Sequence, residues 1–140
     1  MLIRRADFAA DHAAIRQVRF AVFVDEQNVP ADIEIDDRDP HCVHVLAFDD
    51  ESRPVGTGRI DLESSGKIGR VAVLDSARRR GIGTGLMDLL QRIAQQRHLA
   101  AVWCNAQVSA LPFYAQLGYH VTSGRFYEAG IEHVRMEREL

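Results

Sequence analysis

A chain of 140 residues, 46% hydrophobic and 26% charged, has the size and composition of one compact domain, 1–140, with its own core. A formal net charge of -3 argues against a general nucleic-acid binder. No run approaches the ~18 apolar residues that span a bilayer, and Met1-Leu2-Ile3-Arg4-Arg5 lacks a signal peptide's apolar stretch, so the expectation is a cytoplasmic protein with neither a membrane nor a nucleic-acid partner.

From the amino terminus, residues 2–6 predict a short strand, after which Asp7 caps a helix. Ile15, Val18, Val22 and Phe23 recur at spacings of three and four, the pattern of a helix with one buried face, and the signal fades at Asn28-Val29-Pro30. Residues 36–40 predict an exposed connection. Strands are expected at 42–48, 55–62 and 67–74, with turns at Asp49-Asp50-Glu51-Ser52 and Ser64-Ser65-Gly66, forming an antiparallel meander. Leu86, Leu89, Leu90 and Ile93 fall at i, i+3, i+4 and i+7, so an amphipathic helix runs from Gly83 to about Arg97. A strand over 100–106 follows, then a short helix marked by Ala110, Phe113, Tyr114 and Leu117 and stopped by Gly118. Closing strands at 119–122 and 131–138 complete an α/β order with a mixed sheet.

Two stretches concentrate charge. Asp25, Glu26, Asp32, Glu34, Asp36, Asp37 and Asp39 are accompanied by Arg38 alone and suit a cationic partner, whereas Arg78, Arg79 and Arg80 stand together without an acid and suit an anionic one. The arginines lead into Gly81-Ile82-Gly83-Thr84-Gly85 at the start of the predicted long helix. A helix amino terminus has N–H groups without intrahelical partners and a partial positive charge, and glycines let an anion approach them. With Asp88 the nearest acid downstream, nothing in the first turn competes with a bound phosphate. The loop continues Gly85-Leu86-Met87, so it is not a Walker loop, and Leu86 and Asn105 stand where a dinucleotide fingerprint needs a glycine and an acid.

The segment Arg78-Arg79-Arg80-Gly81-Ile82-Gly83 resembles the coenzyme A loop, Gln/Arg-x-x-Gly-x-Gly/Ala, of the GNAT N-acetyltransferase superfamily. Gly69-Arg70-Val71-Ala72-Val73-Leu74 before it, the helix after it, the strand ending in Asn105, and Phe113-Tyr114-Ala115-Gln116-Leu117-Gly118-Tyr119 match that superfamily's order, so the resemblance covers most of the chain. It implies the GNAT fold, a mixed and mostly antiparallel sheet flanked by helices. It also implies transfer of acetyl from acetyl-coenzyme A to a primary amine of a small molecule or peptide by direct attack, with no metal.

In this resemblance, backbone groups of the Val71-Ala72-Val73 run bond the pantetheine arm, one amide polarising the thioester, and the loop from Arg78 through Thr84 to Gly85 holds the pyrophosphate. Asn105 bonds pantetheine or substrate. Tyr114 occupies the position that often protonates the departing thiolate, a role that suits a phenol. In the histone-modifying branch a glutamate base stands where this chain has Lys67, so the candidates for the base are Glu26 and His44. His41 and His44 alternate to opposite faces of a strand, which predicts no metal site. Cys42 and Cys104 lie in apolar runs and predict neither a disulfide nor a nucleophile.

The stretch from Arg19-Phe20-Ala21-Val22-Phe23 to Glu34-Ile35-Asp36-Asp37-Arg38-Asp39 is similar to small bacterial GNAT proteins of mostly unassigned substrate. It also resembles the Arg-x-x-Val-Phe and Glu-x-Asp-x-x-Asp elements of acyl-homoserine-lactone synthases. On that basis it walls the acceptor site, its carboxylates drawing in an ammonium group. A non-catalytic acyl-coenzyme A sensor and a lactone synthase-like acyltransferase are the rival readings, and the sequence does not distinguish a monomer from a homodimer.

Overall fold

A computed structural model describes residues 1–140. Strand β1 (Leu2–Ala6) is followed by a turn over residues 7–11, and helix α1 (His12–Arg19) continues directly into a π-helical segment, Phe20–Glu26. The helix thus starts later than a cap at Asp7 would place it. The Asp7 carboxylate closes the turn by accepting the N–H groups of Ala9 and Ala10, while Asp11 accepts the Asp7 N–H and the Arg4 guanidinium.

One turn of helix, α2 (Ala31–Glu34), precedes the meander of β2 (Val43–Phe48), β3 (Pro54–Asp61) and β4 (Lys67–Val73). Then come α3 (Ile82–Gln96), β5 (Ala101–Gln107), α4 (Leu111–Gln116), β6 (His120–Val121), β7 (Phe126–Glu128) and β8 (Ile131–Glu139). Strand β7 has no counterpart in the sequence reading, because three residues are too few to display alternation. Ala129 and Gly130, both at positive φ (51° and 76°), turn it back onto β8.

The sheet runs β1-β2-β3-β4-β5-β8-β6, with β7 also on β8, and every pairing is antiparallel except β4 with β5. Helix α3 covers one face, burying Ile82, Leu86, Met87, Leu90 and Ile93. It lies close because β3 carries Gly56 and Gly58 beneath it, where a Cβ would come within 3.0 Å of Leu86 and Leu90 respectively. On the opposite face Val18 of α1 and Val22 of the π-helical segment pack on Ala72 of β4. At ~25 cal/mol per Å², burying each such aliphatic side chain stabilises the fold by about 1.5–3 kcal/mol. No helix is long and apolar enough to cross a membrane.

Two irregularities in β4 position the site. Ile68 and Val71 both pack toward the α3 core although they are three residues apart, which a regular strand forbids. A bulge resolves this: Thr57 opposes Ala72 while Arg59 opposes Gly69, and Arg70 takes up the extra residue at φ +52°. The second irregularity is the parallel pairing of β4 with β5, which exists only at Lys67 with Trp103 and Ile68 with Cys104. Beyond it the two strands diverge.

Candidate active site

The divergence of β4 and β5 opens a cleft of about 950 Å³ that runs from the start of α3 to the acidic segment. The Leu74 N–H bonds the Val55 carbonyl, so by alternation Val71 and Val73 direct their backbone groups to the other edge of β4, where β5 has moved away. Ala72, by the same alternation, points its backbone at β3, and its methyl is buried against Val18 and Val22. It therefore differs from its two neighbours in offering the cleft no main-chain bond.

At the α3 end, the first helical bond is from the Gly85 N–H to the Gly81 carbonyl, leaving the N–H groups of Ile82, Gly83 and Thr84 without a partner in the chain. Gly81 sits at φ +76°, a conformation that turns the chain into the helix. Gly85 has a different reason for being glycine: a Cβ there would collide with the side chain of Ile3 on β1.

The arginines before the loop are not equivalent. Arg78 donates from Nε to the Val73 carbonyl (3.0 Å) and from both Nη atoms to Glu26 (2.7 Å each), so it is committed to the protein. Arg79 borders the cleft, while Arg80 is exposed and does not. The Arg78 fork also holds the Glu26 carboxyl below the usual carboxylate range. That makes Glu26 a poorer proton acceptor than the sequence suggested.

On the opposite wall Tyr114 packs edge-on against Phe113 and Tyr119. Burial, then the neighbouring Cys104 and Tyr119, raise its pKa above that of an ordinary phenol, so it keeps its proton. Its hydroxyl has no partner in the chain, yet no fully buried polar atom is left unsatisfied, so the hydroxyl opens on the cleft that Tyr114 lines. Tyr119, by contrast, spends its hydroxyl on Gln91 at 2.8 Å.

Asn105 and Gln107 alternate along β5 into the cleft, and Gln107 Nε2 donates to Gln27 Oε1 at 2.8 Å, linking β5 to the end of the first helix. Facing Gln107 in register is His133 of β8, also in the cleft. Its Nδ1 lies 2.6 Å from the Ile131 carbonyl, and a carbonyl only accepts, so Nδ1 carries a proton and Nε2 is the ring atom left to meet a ligand. The nearest acid to Nε2 is Glu128 Oε2 at 3.7 Å.

The acidic segment is not the exposed connection its composition suggests. Asp39 is fully buried and Glu34 is 1% exposed. Arg19, itself 1% exposed, donates from Nε to Glu34 (2.8 Å) and from its Nη atoms to Asp39 (2.7 and 3.1 Å). Arg59 forks onto Asp36 (2.7 and 2.8 Å) and reaches Asp39 (2.7 Å), and Arg38 forks onto Asp61. The Arg-x-x-Val-Phe and Glu-x-Asp-x-x-Asp elements are thus ion-paired to each other. Burial alone would raise the Asp39 carboxyl, but Arg19 and then Arg59 outweigh it and hold it well below the usual range.

His44 stands behind this network and outside the cleft. It is 1% exposed, stacks on Phe8, donates from Nε2 to the Asp39 carbonyl (2.8 Å), and is held below its ordinary pKa first by burial. It braces the acidic loop and faces no substrate. Cys104 is also inert, its thiol pushed up to about 12 by burial. Sequence reasoning missed Arg59, Arg70, Gln107 and His133 as cleft residues. The strand alternation that selects Asn105 also selects Gln107, but nothing local marks the other three.

Residues 10–140 match the family described as acetyltransferase (GNAT) domain. The chain is 41% identical over 124 residues to the uncharacterized N-acetyltransferase YjcF of Bacillus subtilis, covering 87% of this chain and 88% of that protein. Among solved structures it is similar to Escherichia coli ElaA (TM-score 0.88, 27% identity, 99% and 100% of the two chains). It is also similar to an acyl-CoA N-acyltransferase from Pseudomonas aeruginosa (TM-score 0.85, 27% identity, 99% of each).

Proposed function

We infer, because this chain belongs to the GNAT acetyltransferase family, that it transfers an acetyl group from acetyl-coenzyme A to a primary amine by direct attack within the β4–β5 cleft. The observation that carries this reading is the convergence on one cleft of three things: an unpaired strand edge, a helix amino terminus with free N–H groups, and a tyrosine hydroxyl without a partner. The residues present fit the donor. The Ile82, Gly83 and Thr84 amides would hold its pyrophosphate, with Arg79 as a further charge-assisted donor. The backbone of Val71 and Val73 would bond the pantetheine arm, Val73 through its N–H because Arg78 already takes its carbonyl. Acetyl-coenzyme A supplies an activated thioester, and a β4 amide aimed at its carbonyl oxygen would stabilise the negative charge that develops there.

Two protons must then be moved. Tyr114 retains its proton and is the donor to the leaving thiolate. For the base, Glu26 is engaged by Arg78 and His44 is buried away from the cleft, so His133, whose Nε2 makes no hydrogen bond within the chain, is the acceptor of the amine proton. Cleft geometry also favours a reaction over simple sensing, since the sensor reading gives no part to a proton donor opening on the cleft.

The test is a Tyr114→Phe protein assayed for coenzyme A release from acetyl-coenzyme A with a panel of amines, alongside calorimetric titration of coenzyme A. Turnover should fall about 10²–10⁴-fold with coenzyme A affinity unchanged. A wild-type protein that binds coenzyme A but acetylates no amine in a broad panel would favour the sensor reading.

A further inference from the structure

We propose that the acceptor is an amine that also carries an acidic group, held by the Arg70 guanidinium at the acid-lined end of the cleft. The proposal rests on the acetyl-transfer reading above, and it follows from how unequally three arginines share the same carboxylates.

Arg19 is fully engaged by Glu34 and Asp39, and it also donates to the Glu34 carbonyl at 2.8 Å. Arg59 is engaged by Asp36 and Asp39 with every bond at 2.8 Å or shorter. Glu34 Oε1 stands 3.8 Å from Arg70 Nε. What is left to Arg70 for hydrogen bonding is the Glu34 carbonyl at 3.2 Å and Asp36 Oδ2 at 3.3 Å, and that oxygen already accepts from Arg59. Both distances lie at or beyond the long end of the N–H···O range. The second terminal nitrogen, Nη1, has no partner in the chain, while the Arg70 side chain is 30% exposed and lines the cleft.

The electrostatics agree with this geometry. Burial, followed by the charges of Arg59 and Arg19, lowers the Arg70 pKa, whereas both of those neighbours are raised. A guanidinium does not shed its proton in a protein, so the relief available to Arg70 is an additional anion. The backbone is arranged to aim it: Arg70 is the bulged residue of β4 at φ +52°, a left-handed conformation that is unfavourable for a non-glycine residue and persists only where the surroundings fix it.

A second cation reinforces the assignment. Lys67, on the same strand, also lines the cleft, makes no ion pair, and rests its ammonium 5.3 Å from the Trp103 ring centre. A carboxylate or a phosphate matches the planar fork of Arg70, and Lys67 adds a second positive charge to the lining of the same cleft. An amine with no acidic group would instead bring its ammonium beside an already under-compensated guanidinium. Of the carboxylates that the sequence seemed to offer such an ammonium, Glu34, Asp36 and Asp39 are occupied by Arg19 and Arg59 and Glu26 by Arg78, while Asp25, Asp32 and Asp37 do not line the cleft.

The experiment compares matched acceptors in the coenzyme A release assay: the amino acids against their decarboxylated amines, and phosphoethanolamine against ethanolamine. The two sets separate a carboxylate from a phosphate. At least one acidic member should exceed its partner about tenfold or more in kcat/KM, the worth of one charge-assisted hydrogen bond. Arg70→Gln should bring that ratio to about one with the KM for acetyl-coenzyme A unchanged, and Arg70→Lys, which keeps the charge without the fork, should fall between. A merely structural Arg70 would lower both members equally, and that result overturns the proposal, as does equal or better turnover of amines lacking an acid. Thermal shifts induced by the same acidic amines, with and without coenzyme A, are read in parallel for wild type and variants. A protein that fails to bind or turn over coenzyme A sinks the acetyl-transfer reading. An Arg70-dependent shift by an acidic amine in that protein still supports the anion site, and its absence overturns it.

Discussion

The groups that face a ligand at the α3 end of the cleft are main-chain N–H groups from consecutive positions, Ile82, Gly83 and Thr84, whereas at the other end they are side chains assembled from β3, β4, β5 and β8. The first set is fixed by a single local event, the turn at Gly81 that starts a helix. The second depends on a bulge, a diverging strand pair, and buried ion pairs between residues 15 to 23 positions apart. On the acetyl-transfer reading, a donor common to a family would therefore be bound by geometry that any helix start with glycines reproduces. The proposed acceptor would be read by side chains that a few substitutions would change.

The sharpest way to test that contrast is to damage each end and compare the kind of loss. Arg19→Met removes the cation at the centre of the acidic loop and leaves Glu34 and Asp39 buried beside only Arg59 and the distant Arg70. Breaking one partner of such a buried pair costs about 3–5 kcal/mol, so urea unfolding should show a loss of that size. A loss below about 1 kcal/mol would mean the loop rearranges and solvates its carboxylates, and the acceptor end would then be as local as the donor end.

Gly81→Val is the counterpart. A Cβ at Gly81 meets nothing within 4 Å, so the variant suffers only from the conformation, φ +76°, which costs an L-residue about 1–2 kcal/mol. Relief comes by re-aiming the first turn of α3, and coenzyme A affinity measured by calorimetry should drop about tenfold if binding restores the strained turn. The matched-amine selectivity attributed to Arg70 should be unaffected. Selectivity lost together with affinity would show that the two ends are mechanically coupled, with the Arg78 to Glu26 fork as the evident link between the loop and the first helix.

The same division governs what the sequence disclosed. The α3 helix, expected from Gly83 to about Arg97, spans Ile82–Gln96, and the meander strands fall within a residue or so of their expected bounds, because periodicity is a local signal. The glycine turn into that helix was legible for the same reason. The acidic segment was misjudged because its counter-ions, Arg19, Arg59 and Arg70, lie 15 or more residues from the acids they meet, so a window around Asp36 contains only Arg38. Placing His44 in the site followed from the same blindness, since nothing in Val43-His44-Val45 says that its ring is committed to the Asp39 carbonyl. His133 was overlooked although its strand was anticipated, because the Ile131 carbonyl that fixes its tautomer and the divergence that exposes it are both tertiary facts.

The smallest expected effect concerns acid. Burial holds His44 neutral by lowering its pKa from 6.5, so between that value and its folded value the unfolded chain binds the extra proton. Stability should therefore decline as pH falls through 6.5, each unit of depression being worth about 1.4 kcal/mol. Asp39 acts in a lower window: its depressed carboxyl contributes fully above the unfolded value of 3.8 and loses that contribution as pH falls below it. Urea midpoints measured from pH 7 to pH 3 should show two declines, and His44→Gln should flatten the upper one alone. Both groups belong to the acceptor end, whereas the donor end has only the half-exposed Glu26 and Arg78 pair to titrate. Gly81→Val should thus keep both declines. If instead the upper decline survives His44→Gln, the burial of His44 is not its source, and the wall behind the cleft would not carry the acid sensitivity.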